Sequence, residues 1–123
     1  MPKILIIDDE QNLRKMAGVN LTARGHQVLT APTGERGLKL AQLEHPDLIL
    51  LDLMLPGISG WDVLMALKAD RKLKKIPVII LTALEQEREE DKIRSMRASG
   101  YLVKPFGIEK LLHLVEQVLG KRG

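Results

Sequence analysis

The chain is 123 residues long, which suits one compact unit with a core of its own, and its 45% hydrophobic and 28% charged residues exclude a mainly disordered or collagen-like chain. With one Trp, one Tyr and one Phe, aliphatic side chains must fill the core, and a formal net charge of +3 is too small by itself to imply nucleic acid. The absence of cysteine excludes a disulfide framework, a thiolate metal site and a cysteine nucleophile, while the apolar runs stop well short of the roughly 20 residues of a membrane span, so a cytoplasmic protein with no membrane partner is expected.

Lys3 to Asp8 is a nearly continuous apolar run bounded by acids, too short for a helix, and reads as a strand buried on both faces. Leu13, Met16, Ala17 and Leu21 then recur at helical spacing, with Gly25 as the stop signal. Gln27 to Ala31 is the second strand. Thr33 can cap a helix running through about Glu44, with Leu38, Ala41 and either Leu40 or Leu43 inward. Asp47 to Asp52, reading D-L-I-L-L-D, is another doubly buried strand, and Pro56-Gly57 forces a turn after it. Ser59 and Asp62 have capping-box spacing for a helix from Gly60 or Trp61 to about Ala69.

Pro77 to Thr82 is the fourth strand, entered through the basic stretch Arg71 to Lys75. The charged helix predicted from about Glu85 to Arg97 has only Ile93 and Met96 as clear apolar anchors, so it is the least firmly held. Tyr101 to Lys104 is the fifth strand, and Ile108, Leu111, Leu112, Val115, Val118 and Leu119 mark the most amphipathic helix. Lys121-Arg122-Gly123 is either a plain end or the first step of a linker. Alternating strands and helices with short links predict an α/β fold of (βα)5 type over residues 1–123, a doubly wound parallel sheet in the flavodoxin-like order 2-1-3-4-5. In such a sheet ligands gather beyond the carboxyl ends of the strands.

At that edge the first strand ends in Asp8-Asp9 with Glu10 next, the third in Asp52, the fourth in Thr82 and the fifth in Lys104. The opposite edge, begun by Lys3, Gln27, Asp47 and Pro77, has no comparable cluster in sequence. Asp8, Asp9 and Asp52 in one crevice would either raise one another's pKa or attract a cation. All-oxygen donors with no nearby His or Cys favour Mg²⁺, and a divalent ion together with the Lys104 ammonium would cancel the three carboxylate charges. A neutralised crevice can accept a phosphoryl group, with Thr82 able to donate a hydroxyl to its oxygens. Asp52, lying between the two acids and the donors, is the best candidate nucleophile toward phosphorus.

The segments I-L-I-I-D-D-E, D-L-I-L-L-D-L-M-L-P-G-I-S-G, P-V-I-I-L-T-A and Y-L-V-K-P-F, at their spacing, resemble the receiver domain of two-component response regulators over essentially the whole chain. The resemblance implies a phospho-acceptor at Asp52, Mg²⁺ held by Asp9 directly, by Asp8 more indirectly and by the Met54 backbone carbonyl, and phosphoryl oxygens bound by Thr82 and Lys104. It further implies a phosphoryl donor that is a sensor histidine kinase, a phosphotransfer protein or a small molecule such as acetyl phosphate, an output protein or domain, and a phosphorylation-dependent dimer as an option. A cis peptide before Pro105 and a switch coupling Thr82 to Tyr101 on the face of the fourth helix, fifth strand and fifth helix also follow from it. Met54 and Leu84, two positions after Asp52 and Thr82, would flank the approach of water, which implies slow autodephosphorylation. Arg97 departs from the family pattern, which often has glycine before the fifth strand, so either the helix ends differently or a non-glycine residue takes a strained conformation.

Other features read more plainly. His26, His45 and His113 are scattered with no ligand spacing, and Trp61 is read as packing against its own helix. Lys68, Arg71, Lys72, Lys74 and Lys75 read as a solvated basic loop, and without interleaved aromatics direct nucleic-acid binding is not expected. Gly34 and Gly37 lack the Gly-Lys-Ser/Thr ending of a phosphate loop. A metal-dependent phosphatase with an aspartyl nucleophile is the enzymatic alternative, disfavoured because Met54 stands where such enzymes carry a second acid. A receiver-like module indifferent to phosphate is the third reading.

Overall fold

The computed structural model describes residues 1–83 and 87–120. Leu84, the predicted helix start at Glu85 and the tail Lys121-Arg122-Gly123 lie outside the described residues. Ten elements alternate along the chain: β1 Lys3–Ile7, α1 Gln11–Ala23, β2 Gln27–Ala31, α2 Gly34–Glu44, β3 Leu48–Asp52, α3 Gly60–Ala69, β4 Val78–Thr82, α4 Glu87–Ser95, β5 Gly100–Val103 and α5 Ile108–Gly120.

The strands pair in parallel in the order β2-β1-β3-β4-β5, the predicted flavodoxin-like arrangement. Ile4 sits between Val28 and Leu48, and Ile49 aligns with Val78, so the central strands are hydrogen-bonded on both sides. Their continuous apolar character follows from the pleat. Successive side chains point to opposite faces, and both faces are covered. Leu5, Ile7, Ile49, Leu51, Val78 and Ile80 enter one core with Ala41 of α2, Val63, Leu64 and Leu67 of α3 and Ile93 of α4. Ile4, Ile6, Leu48, Leu50, Ile79 and Leu81 enter the other with Ala17 and Leu21 of α1 and Leu111, Leu112, Val115 and Val118 of α5.

The helix ends carry the chemistry their residues dictate. The Thr33 hydroxyl accepts from the Arg36 N–H at 3.2 Å, and Ser59 with Asp62 forms the reciprocal capping box. Gly25 takes a φ of +90° past the end of α1. Of the two alternatives on α2, Leu40 packs against the core and Leu43 is 67% exposed. Met16 lies at the margin of the core, 38% exposed, because Ala17 and Leu21 already point α1 at the sheet. Gly37 packs against the Ile7 side chain, so it serves helix–sheet contact.

The largest difference from the sequence reading is at α4. It ends at Ser95 rather than Arg97, and Arg97 adopts a left-handed φ of +61°. Both alternatives posed by the missing glycine are therefore realised. Ile93 is the buried anchor of this helix, with Met96 packing beside it. Trp61 packs against the core cluster, and the Lys92 ammonium lies 4.2 Å from its ring centroid, so α3 and α4 share it.

Candidate functional site

Parallel strands of similar length end together, and the residues just beyond β1, β3, β4 and β5 are thereby delivered to one edge. The ladder continues by one residue on both sides of the site, with the Asp8 N–H donating to the Ala31 carbonyl at 3.1 Å and the Lys104 N–H to the Thr82 carbonyl at 2.7 Å. Asp8 is fully buried and Asp52 is 3% exposed, whereas Asp9 faces solvent. Asp8, Asp9 and Asp52 each bring a carboxylate oxygen within 4.8 Å of the others.

Two local turns hold the buried carboxylates. Asp8 Oδ1 accepts from the Glu10 N–H at 2.8 Å, and Asp52 Oδ1 accepts from the Met54 N–H at 3.1 Å. The Arg14 guanidinium donates to the Asp8 carbonyl oxygen at 2.8 Å, tying α1 to the strand end. Lys104 Nζ lies 2.9 Å from Asp8 Oδ2, 2.9 Å from Glu10 Oε1 and 3.5 Å from Asp52 Oδ2. The Thr82 hydroxyl donates to Glu89 Oε2 of α4 at 3.2 Å. The peptide bond between Lys104 and Pro105 is cis.

Gly60 holds the floor. Its N–H donates to the Leu53 carbonyl at 3.0 Å, and a methyl group on its Cα would run into the Asp52 carbonyl oxygen. The start of α3 can therefore lie directly under the β3 end only because position 60 has no side chain.

The charges act on one another. Burial pushes the Asp52 carboxyl up from 3.8 to about 6, and the Asp8 carboxylate adds to the rise against the opposing Met54 amide and Lys104. Burial also raises Asp8, with Lys104 and the Glu10 amide offsetting part of it. For Lys104, burial favours the neutral amine, but hydrogen bonds to Asp8 and Glu10 and the charges of Asp8 and Asp52 outweigh it and hold its pKa above the ordinary range. One lysine thus serves three carboxylates, and the crevice retains negative charge.

That surplus fits a divalent cation. The donors are all carboxylate oxygens, as a hard ion requires, and Asp8 Oδ2 is sealed from solvent with an ion-pair neighbour but no aligned hydrogen bond. An anionic group arriving next to Asp52 would then meet Lys104 and, after a rotation away from Glu89, the Thr82 hydroxyl.

The structure brings together Asp8, Asp9, Asp52, Thr82 and Lys104. Met54 contributes its amide to Asp52, and its side chain is 75% exposed. Tyr101 stands apart from the carboxylates. Its half-buried ring packs against the core, and a hydrogen bond with Glu90 raises its hydroxyl pKa. Sequence reasoning missed three contributors. Glu10 was readable as an acid beside Asp8 and Asp9, but its pairing with Lys104 was not. Glu89 depends on the phase of α4 against β4, and Gly60 on backbone proximity, neither of which leaves a linear signal. His26 is buried in the turn before β2 and takes no part in the site.

Comparison with known proteins gives a consistent result. The family model described as "Response regulator receiver domain" matches residues 4–116. The chain is 41% identical over 97% of its length to the DNA-binding dual master transcriptional regulator RpaA of Synechocystis, and covers 49% of that protein. It spans about half the length of several of the curated relatives it matches. Protein PilH of Pseudomonas aeruginosa is 38% identical, with 97% of this chain and 98% of that protein covered. Among solved structures, the chemotaxis protein CheY4 of Vibrio cholerae superposes with a TM-score of 0.90 at 31% identity, covering 96% of this chain and 98% of that one. The Francisella response regulator 1452 receiver domain superposes with a TM-score of 0.92 at 27% identity, each chain covered in full. With the fold, the clustered acids and these matches in agreement, the chain belongs to the response regulator receiver family, the phosphorylation-dependent switches of two-component signalling.

Proposed function

We propose that Asp52 is the phospho-acceptor and that the chain itself promotes transfer onto it. An Asp52 carboxylate oxygen attacks phosphorus as the bond from phosphorus to the donor breaks, and the electron pair leaves with the donor, a phosphohistidine imidazole or the acetate of acetyl phosphate. The carboxylate must be ionised for this, and its raised pKa of about 6 leaves it ionised at neutral pH. Lys104 Nζ, 3.5 Å from Asp52 Oδ2, supplies the positive charge nearest the incoming oxygens. Thr82 supplies a hydroxyl once it exchanges Glu89 for a phosphoryl oxygen.

Asp8, Asp9 and Asp52 would hold Mg²⁺, with the Met54 carbonyl as a further ligand. When bound, the ion supplies charge neutralisation and polarises the phosphoryl group. The observation that carries this reading is the joint burial of Asp8 and Asp52 beside one shared lysine, a charge imbalance that a cation and a phosphoryl group together resolve.

The switch would run through α4. Thr82 leaving Glu89 loosens a tie between β4 and a helix anchored by the buried Ile93, and Tyr101, bonded to Glu90 of the same helix, follows the same displacement. Residues 1–123 are read as one receiver unit acting in the cytoplasm between a histidine kinase or phosphotransfer protein and an output partner, with a phosphorylation-dependent dimer as one form of output.

Incubation with acetyl phosphate and Mg²⁺ followed by intact mass spectrometry tests the assignment. A single phosphoryl adduct is expected, absent in Asp52→Asn and absent without the metal. An adduct that persists in Asp52→Asn would refute the acceptor, and rapid release of phosphate over many turnovers would identify a phosphatase. The exposed Met54 side chain beside the acceptor supports slow autodephosphorylation, so a polar substitution there should shorten the adduct's lifetime.

A further inference from the structure

Three of the five basic residues that in sequence look like a solvated loop meet a fourth cation from another element, while Arg71 and Lys72 lie apart from them. Lys68 at the end of α3, Lys74 and Lys75 in the connection to β4, and Arg97 just after α4 line one cleft of about 620 Å³, floored by Met65, Ala69 and Met96. It lies at the amino ends of β4 and β5, the opposite edge of the sheet from Asp52. No acidic side chain lies among its walls, and none of the four cations has a salt-bridge partner among the described residues. Four of the chain's 19 Lys and Arg residues therefore line a single cleft with no carboxylate among its lining residues. Burial and the Arg97 charge together hold the Lys68 ammonium below the ordinary lysine range. Like charges held near one another, as Lys68 and Arg97 are, gain from a counter-charge.

We propose that this cleft docks a segment of a partner protein that is rich in Asp and Glu and interspersed with aliphatic side chains. Charge complementarity supplies the sign of the occupant. The floor supplies its second property: methionine side chains are adaptable and accept aliphatic groups of varied shape. With no aromatic residue in the walls, the cleft has no platform on which nucleotide bases could stack, which favours peptide over nucleic acid. The surface is separate from the phospho-acceptor, so docking does not rest on the role proposed for Asp52.

The test uses the unphosphorylated 123-residue chain and two fluorescent peptides about a dozen residues long, one alternating Glu and Leu, the other Gln and Leu. Fluorescence anisotropy gives affinity, and amide chemical shifts locate the contact. The acidic peptide should bind, shift amides of residues 65–75 and 95–97, and weaken about tenfold or more as salt screens the cations or in Lys74→Glu/Lys75→Glu. Arg97→Gly provides a second variant whose backbone suits the left-handed φ, so loss of binding there cannot be ascribed to misfolding. Equal binding of the Gln peptide, binding unaffected by both variants, or shifts confined to other surfaces would overturn the proposal. Tighter binding of duplex DNA or of polyphosphate at the same salt would overturn it too, as would a concentration-dependent dimer that the Lys variants abolish.

Discussion

Asp52 shows how one buried residue links function to stability. Its carboxyl is held at about 6 in the folded chain against 3.8 ordinarily, so between those values the native state binds more protons than the unfolded chain. Stability therefore falls as pH rises through that window. The loss is complete once the folded group ionises, and is at most about 3 kcal/mol. Asp52→Asn is expected to be more stable than the parent at pH about 8 and to lose that advantage near pH 4, as urea unfolding at the two pH values would reveal. A parent whose stability difference from Asp52→Asn is independent of pH would contradict the buried-charge account. Arg97, like His45, holds a side chain in the left-handed region, which costs about 1–2 kcal/mol. Arg97→Gly relieves this at a smaller entropic cost in the unfolded chain, and removes a charge facing Lys68. A gain of about 0.5–1 kcal/mol is expected, read as a melting temperature raised by a few degrees.

Elements differ in how firmly they are attached. α5 buries Leu111, Leu112, Val115 and Val118, whereas α4 buries Ile93 with Met96 partly covered. A buried aliphatic side chain contributes about 1.5–3 kcal/mol, so α4 can be displaced at a cost that a charged ligand's contacts can match. α3 is the opposite case. Val63, Leu64 and Leu67 fix it to the sheet, and Gly60 brings its first turn against the Asp52 backbone. Gly60→Ala must push helix and strand apart, with an expected cost of about 1–3 kcal/mol and slower acetyl phosphate labelling of Asp52 although no reactive side chain is altered. Thermal unfolding and the labelling rate measure the two effects, and an unchanged rate in a folded variant would remove Gly60 from the positioning of the site.

At the scale of the whole molecule, two charged clusters stand at opposite ends of the strands. Carboxylates gather at the carboxyl ends of the strands and cations between α3 and α4 at the amino ends, on a sheet whose two faces are both sealed by helices. Because the acidic end is under-neutralised, a divalent ion should stabilise the fold as a ligand that binds the native state alone. At Mg²⁺ ten times its dissociation constant, about 1.4 kcal/mol is expected. Asp9→Asn should lose most of that gain while leaving the metal-free protein nearly as stable, because Asp9 is exposed and outside both cores. A metal-dependent melting shift that survives in Asp9→Asn would place the ion elsewhere.

The alternation of short apolar runs with amphipathic stretches was sufficient to establish ten elements and their parallel arrangement. Period-two burial on two faces and period-three-to-four burial on one leave different marks on a linear chain. Asp8, Asp9, Asp52, Thr82 and Lys104 were legible because parallel strands carry their ends to a common edge. Contacts that depend on how neighbouring elements are phased were decided only in three dimensions: Glu10 on Lys104, Glu89 on Thr82, Gly60 beneath Asp52, the left-handed turn at Arg97, and the meeting of Lys68, Lys74 and Lys75 with Arg97. Local sequence encodes periodicity and chain direction, but the distance between two side chains far apart in the chain is set by the packing of everything between them.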